Sequence, residues 1–258
     1  MAKLIIQIPC YNEEEALPET LSELPRSLPG IDKVEWLIID DGSSDRTIEV
    51  ARALGDDHIV KLPSHQGLAQ AFDAGLEASI QVGADIIVNT DADNQYRAED
   101  IGKLLAPILE GHAEVVVGER PIDQIPHFSP TKKMLQRFGS WVVRLVSRSS
   151  LPDAASGFRA MSRNAAMKTH VFSEYTYTLE TIIQTGQKGI GIASVPIRVN
   201  ENLRPSRLVK SIPSYLRRQV LTIVRIFMTY RSFRFFALPG LILFGIGFLI
   251  GLRFLYYF

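Results

Sequence analysis

Cysteine is nearly missing from this chain. Of 258 residues only Cys10 is one, so no disulfide can close within the chain. A disulfide-stapled secreted scaffold is thereby excluded, and a reducing compartment, or simply a lack of oxidative pressure, fits. Cys10 itself follows an apolar run and reads as a small buried hydrophobe rather than a nucleophile. A secretory leader is missing too: Met1-Ala-Lys runs straight into Leu4-Ile5-Ile6, and acids follow at once, so no signal peptide is expected. Internal repeats and low-complexity stretches are absent. Net charge is absent as a sum, with 28 basic and 28 acidic residues, but not as a pattern. No acid follows Glu201, while nine basic residues do: Arg204, Arg207, Lys210, Arg217, Arg218, Arg225, Arg231, Arg234 and Arg253. With those nine removed from the 28, residues 1–201 carry a net −9. An acidic body with a basic, apolar tail suggests a domain seated on an anionic membrane surface. The tail's hydrophobicity argues against nucleic acid as its partner.

What is present is apolar bulk, 46% of the residues, enough for one large α/β domain or two small ones. Phe235 to Leu252 is a run of 18 residues without a charge. At about 1.5 Å per residue, and with Arg253 to Phe258 added, it spans a hydrocarbon core of roughly 30 Å. The alternative is a buried core helix, but Gly240, Gly245, Gly247 and Gly251 suit close helix packing in lipid and hint at homo-oligomers. Arg231 and Arg234 precede the run, which places the preceding domain on the cytoplasmic face of a cell membrane by the positive-inside rule. The chain stops on Tyr-Tyr-Phe with no polar tail, which leaves a truncated end or a missing further span open.

Ahead of that tail, strand and helix signals alternate. Strands are predicted at 3–9, 35–40, 58–62, 84–89, 113–118, 156–161 and 190–199. Helices are predicted at 12–27, 46–54, 67–82, 100–110, 131–150 (basic and amphipathic), 162–169 and 175–185. Such alternation implies a mostly parallel sheet covered on both faces, with ligands bound beyond the carboxyl ends of its strands. The expected domains are a catalytic body at 1–203, interfacial helices at 204–233 broken near Pro213, and a spanning segment at 234–258.

Three polar clusters sit where such a sheet would present a site: Pro9–Glu13, Asp40–Asp45 and Thr90–Gln95. In Asp91-Ala92-Asp93-Asn94-Gln95, alternate residues after a strand point to one side. Two carboxylates and an amide oxygen are hard donors suited to Mg²⁺ or Mn²⁺. The alternative is an acidic turn before a helix capped by Asp100. Asp45 reads as an N-cap, and Asn12 reads equally as a cap. A carboxylate at Asp40 or Asp41 can accept hydrogen bonds from a base or ribose, and Tyr11 offers an aromatic face.

These clusters resemble glycosyltransferase family 2. The resemblance rests on Pro9…Asn12-Glu13, on Asp40-Asp41-Gly42-Ser43-x-Asp45-x-Thr47, on Gly67…Ala71…Gly75 and on Asp91-Ala92-Asp93-x-Gln95. With Gly157-Phe158-Arg159-Ala160 and the apolar tail, the chain is similar to the branch holding dolichyl-phosphate mannose synthase and bacterial polyprenyl-phosphate glycosyltransferases. The resemblance implies the GT-A fold and inverting transfer of a hexose or hexosamine from a nucleotide-sugar to a polyprenyl phosphate. It implies Asp91, Asp93 and Gln95 as metal ligands, and Pro9, Tyr11, Glu13, Asp40, Asp41, Ala92 and Asp93 around the nucleotide or its metal. Asp153 matches the acidic position near the acceptor and, with Asp93, is the expected catalytic carboxylate. Arg120, Arg137, Arg204 and Arg207 are the candidates for the acceptor phosphate, since guanidinium forks suit phosphate oxygens. Each has a plainer alternative, a headgroup contact or a solvated face, and for Lys210, Arg217 and Arg218 the plainer one is preferred.

The departures are informative. The Gln-x-x-Arg-Trp motif of processive synthases is completed by neither Trp36 nor Trp141. Mannose synthases read Asp-Asp-Asn-Ser-Pro-Asp-Gly-Thr where this chain has Asp-Asp-Gly-Ser-Ser-Asp-Arg-Thr, and their late Arg-x-x-Gly-x-Ser-Lys is here Asn202-Leu-Arg-Pro-Ser-Arg207. That tilts the donor from GDP-mannose towards a UDP-sugar. The remaining alternatives are transfer to another membrane lipid such as diacylglycerol, or a non-catalytic protein that holds nucleotide-sugar or lipid.

Overall fold

The computed structural model describes residues 2–121, 151–172, 177–200, 224–225, 228 and 232–257. These residues divide into two units, Met1–Ile212 and Pro213–Phe258.

The first unit is built on one sheet of seven strands in the order β3-β2-β1-β4-β6-β5-β7. The strands are β1 (Lys3–Cys10), β2 (Lys33–Asp40), β3 (His58–Lys61), β4 (Ile86–Asn89), β5 (Val115–Glu119), β6 (Arg159–Ser162) and β7 (Ile192–Pro196). β1 lies in the interior of the sheet, parallel to β2 and β4. Its Leu4, Ile5, Ile6 and Ile8 are all fully buried, so both faces of the strand are covered. That is the physical reason for an apolar run interrupted only by the buried Gln7 instead of alternation. β6 is the exception to the parallel rule: it enters antiparallel between β4 and β5. The sheet is therefore mixed, as it must be for β6 to run back between two strands of opposite direction to it.

The helices are α1 (Leu17–Glu23), α2 (Thr47–Ala53), α3 (Leu68–Gln81), α4 (Ile101–Leu109, after a 3₁₀ turn at Ala98–Asp100), α5 (Arg163–Met167) and α6 (Thr178–Gln187). Most lie within a few residues of their expected bounds. α1 is far shorter than the predicted 12–27. Asn12 adopts φ 55°, which no helix accepts, and Leu24 is extended at ψ 132° ahead of Pro25. The basic helix predicted at 131–150 and nearly all of the segment 204–233 lie outside the described residues.

The second unit contains α7 (Ser232–Tyr257), 26 residues long. Its Phe235–Tyr257 stretch has a mean hydropathy of 2.3 and none of its apolar run is buried. Its 23 residues at about 1.5 Å each exceed a bilayer core of roughly 30 Å, so α7 is long and apolar enough to cross a membrane.

Candidate active site

The carboxyl ends of β1, β2 and β4 carry the three polar clusters, as a parallel arrangement requires. The loops after β1 and β2 are latched together by polar groups. Asn12 N–H donates to Ser43 Oγ at 2.9 Å, and Ser44 N–H donates to Asn12 Oδ1 at 2.8 Å. Glu13 N–H donates to Thr47 Oγ1 at 2.9 Å. Asp45 bridges the same loops, accepting from Glu14 N–H at 3.1 Å and from Thr47 N–H at 3.0 Å. Burial pushes its carboxyl up, but the Thr47 hydroxyl and these amides outweigh that and hold it below the ordinary range. Asp45 thus satisfies the first amide of α2 from one residue ahead of its N-cap, which is Arg46 and not Asp45 as expected.

Asp40 and Asp41 are adjacent and both buried, yet they are differently engaged. Asp41 is spent on the protein. Its oxygens accept from Gln66 N–H at 2.7 Å and Gly67 N–H at 2.9 Å, and His65 Nδ1 lies 2.8 Å from Oδ2. Gly42, at φ 71°, lets this strand end touch the next loop, since a Cβ there would meet Ser64 and His65 backbone atoms at 2.7 Å. The His65 ring is stacked on Tyr11 with centroids 3.8 Å apart. Asp40 Oδ1 accepts from Ser43 N–H at 3.1 Å, while its buried Oδ2 has no hydrogen-bond partner among the described residues. A buried unpaired carboxylate oxygen is costly, and an incoming N–H or O–H would relieve it. Pro9 is buried within β1, and Glu13 is buried at the start of the following loop. Burial, and then the charges of Glu13, Asp40 and Asp45, raise the Cys10 thiol well above its ordinary value, so it stays protonated and inert.

The third cluster turns sharply. Asn94 adopts φ 53°, and Gln95 N–H donates to Asp93 Oδ1 at 3.2 Å. Thr20 Oγ1 donates to the carbonyl of the buried Ala92 at 2.8 Å. The strand end after β7 clasps the loop from outside: Asn200 N–H donates to Gln95 O at 2.8 Å and Asn200 Nδ2 to Asn94 O at 3.0 Å. Asp91 and Asp93 are both half-buried. Burial, and then the charge of Asp93, push the Asp91 carboxyl up to about 7, against the opposing pull of Arg120, Arg159 and a hydrogen bond with Tyr96. Two carboxylates held together at such cost would be relieved by a cation. Among the described residues no group of three His, Cys, Asp or Glu side chains gathers. The donor set is two carboxylates and the Gln95 amide, hard oxygens that fit Mg²⁺ or Mn²⁺ with positions left for phosphate oxygens. Gly157 completes this side. A Cβ there would lie 3.2 Å from both Asp91 oxygens and 3.0 Å from Tyr177 Oη, so only glycine leaves that carboxylate its place.

Beside it, Arg120 and Asp153 form a bidentate pair: Nε donates to Oδ2 at 2.7 Å and Nη2 to Oδ1 at 3.1 Å. The Arg120 and Asp153 side chains retain only 8% and 0% exposure. The sequence names both residues separately; the fold joins them. Other neighbours of the rim carry no local signal. Asn89 Nδ2 donates to Gly157 O at 3.0 Å and to Tyr177 Oη at 2.9 Å, while Gln7 Nε2 donates to Asn89 Oδ1 at 2.9 Å. Arg159 lies fully buried below them. It stands in the quoted Gly157–Ala160 motif without an assigned role, and Tyr177, His65 and Asn89 stand in no motif. Arg137, Arg204 and Arg207 lie outside the described residues.

Comparison with known proteins fits this geometry. The family model described as glycosyl transferase family 2 matches residues 5–169. The chain is 29% identical over 205 residues to undecaprenyl-phosphate mannosyltransferase of Micrococcus luteus, covering 76% of this chain and 82% of that one. It is 29% identical over 215 residues to UDP-N-acetylglucosamine–dolichyl-phosphate N-acetylglucosaminyltransferase of Methanococcus voltae, covering 74% and 83%. Among solved structures, glucosyl-3-phosphoglycerate synthase from Mycobacterium tuberculosis, in complex with Mn²⁺, uridine diphosphate and glucosyl-3-phosphoglycerate, has a similar fold. Its TM-score is 0.69 at 18% identity, over 89% of this chain and 80% of that one.

Proposed function

The chain belongs to glycosyl transferase family 2 and is a glycosyltransferase of GT-A fold, and from that premise we propose that it transfers a hexose or hexosamine from a nucleotide-sugar to a polyprenyl phosphate at the cytoplasmic face of a membrane. The observation that carries this reading is the joining of three features on one rim: the open acceptor at Asp40, the Asp91–Asp93 pair, and the Arg120–Asp153 pair. The relatives named above act on lipid phosphates by their names, and α7 is apolar enough to hold the chain where such a lipid lies.

In this reading Pro9, Tyr11, Glu13 and Asp40 receive the nucleoside. Asp91, Asp93 and Gln95 hold Mg²⁺ or Mn²⁺, which when bound neutralises charge on the departing nucleoside diphosphate. Asp41 and Ala92 act through the backbone around them, since Asp41 anchors the 65–67 loop and Ala92 is held by Thr20. An acceptor phosphate oxygen attacks the anomeric carbon, the bond to the diphosphate oxygen breaks, and configuration inverts. That oxygen is already ionised near neutral pH, so orientation matters more than a strong base. Arg120 spends two guanidinium N–H groups on Asp153 and keeps the remaining three for the incoming phosphate. Asp153 holds that fork in place. Arg137, Arg204 and Arg207 are further proposed phosphate contacts. The two differing sugars in the relatives' names leave this chain's sugar to its own pocket, and a UDP-sugar is the favoured donor because of the departures from the mannose-synthase pattern.

A donor screen tests the reading. Thermal shift of the full chain against a panel of UDP- and GDP-sugars with Mn²⁺ is expected to show stabilisation by a UDP-sugar that Asp93→Ala abolishes. Equal stabilisation of the Asp93→Ala variant would remove the metal set from the account.

A further inference from the structure

Arg159 is the largest fully buried side chain in the described residues, and among them no carboxylate forms a salt bridge with it. Nη1 donates to Thr181 Oγ1 at 2.6 Å and to Thr178 O at 3.3 Å, and Nη2 donates to Ser156 O. All three acceptors are neutral. Among the described residues the buried Nε has no hydrogen-bond partner and no salt bridge includes this guanidinium. The charge sits 5.1 Å from the centre of the Tyr177 ring, the face that favours a cation. A buried charge without an ion pair is costly and calls for a counter-charge nearby.

The fold places the counter-charge on the rim above. In the β4–β6 ladder Arg159 pairs with Asn89, two residues before Asp91. Tyr177 Oη, on the ring that Arg159 faces, bonds Asn89 Nδ2 at 2.9 Å and lies against Gly157, which in turn lies against both Asp91 oxygens. Arg120 is paired with Asp153, whereas Arg159 makes no ion pair among the described residues. Both guanidiniums pull on the Asp91 carboxylate, Arg120 the more strongly, and Arg159 acts on Asp153 as well as on Asp91.

Formal charges then decide what the rim prefers to bind. With both carboxylates ionised, Asp91, Asp93 and Arg159 sum to −1. A divalent cation alone turns this to +1. Without Arg159 the same cation would bring the rim to neutrality. An anionic diphosphate arriving with the cation removes the excess positive charge. We propose that Arg159 is a positioning residue whose fixed buried charge weakens the rim's hold on a divalent cation alone and strengthens its hold on a nucleoside diphosphate, so that the cation is held well only together with the diphosphate. The inference rests on the reading of Asp91, Asp93 and Gln95 as the metal set.

The test measures binding, not turnover, on the folded full chain. Mn²⁺ alone, UDP alone and UDP with Mn²⁺ are titrated calorimetrically against wild type, Arg159→Met and Arg159→Lys, with melting curves confirming a folded state. Arg159→Met is expected to bind Mn²⁺ alone at least about fivefold more tightly and UDP alone at least about fivefold more weakly, with the enhancement that Mn²⁺ gives UDP unchanged, because a fixed charge adds to the binding of each ligand separately. Arg159→Lys, which keeps the charge, is expected to follow wild type. A purely structural Arg159 would weaken Mn²⁺ and UDP binding together in both variants, and that result overturns the proposal. So does an Arg159→Met that binds as wild type, or an Arg159→Lys that follows Arg159→Met. If wild type takes up no Mn²⁺ even with UDP, the metal reading itself fails, and the two failures are thereby separated.

Discussion

Removing Asp153 should cost more stability than activity arguments alone would suggest. Asp153→Ala leaves Arg120 buried, with Nε and Nη2 deprived of the oxygens they reach at 2.7 and 3.1 Å. It also strips an acceptor from Ala155 N–H, now at 3.2 Å from Oδ1. Breaking a buried ion pair from one side costs about 3–5 kcal/mol, because the desolvation of the survivor is no longer offset. For a domain of this size that corresponds to a fall in Tm of about 6–20 °C. Adding Arg120→Met removes the orphaned charge, so the double variant should recover much of the loss and the two effects should be strongly non-additive. The assay is thermal and denaturant unfolding of detergent-solubilised full chain for both single variants and the double variant. An Asp153→Ala protein that melts within about 2 °C of wild type would refute the reasoning, since the survivors of a buried pair cannot be that comfortable. So would additive losses. Asp153→Asn, which keeps the shape, should retain part of its transfer activity with a phosphate acceptor; complete loss would point to a hydroxyl acceptor that needs a true base.

Gly157→Ala should reduce kcat/KM by roughly tenfold or more, because its methyl would stand 3.2 Å from both Asp91 oxygens and displace that carboxylate; steady-state kinetics would read the loss, and unchanged kinetics would contradict the placement. Asp41→Asn should raise the KM for the donor and lower stability by about 1–3 kcal/mol, since an amide cannot accept from Gln66 and Gly67 N–H on both sides; a KM at the wild-type level would count against Asp41 as the anchor of that loop. Acid unfolding should begin early. Burial raises the Glu35 carboxyl, but Lys3, Lys33 and His58 overcome it and pull its value from 4.5 to about 2. A folded-state value below the unfolded one gives stability that is complete above the unfolded value and is lost as pH falls through the folded one. Glu35→Gln should therefore flatten the loss of Tm between about pH 4.5 and 2, and an unaltered slope would exclude that cluster as its source.

The framework of the fold was readable because its interior strands are nearly continuous apolar runs. Leu4–Ile8 and Leu37–Ile39 are buried on both faces, and such runs announce a covered parallel sheet whatever their partners. The three rim clusters were readable for the same reason: each ends a strand. What was not readable depends on strand order. Nothing local in Arg159–Ser162 says that it inserts antiparallel between β4 and β5. That insertion sets Gly157 against Asp91 and Asp153 against Arg120, residues 33 apart. Asp40 and Asp41 looked interchangeable in the sequence. Only the loop folded back at 65–67 separates the anchored carboxylate from the one with an open oxygen. Tyr177 and Asn89 stand in no motif, because their contribution is a hydrogen bond across 88 residues.

The central claim is that sugar leaves a nucleoside diphosphate on this rim and arrives on a lipid phosphate. The most direct measurement incubates the purified full chain with labelled UDP-sugars and GDP-mannose, Mn²⁺ and undecaprenyl phosphate, then follows the label into the organic phase. The account predicts an acid-labile glycosyl phospholipid, formed from one donor and lost in Asp93→Ala. Label that stays in water with every donor, or that enters diacylglycerol while the phosphate lipid stays unmodified, would contradict it.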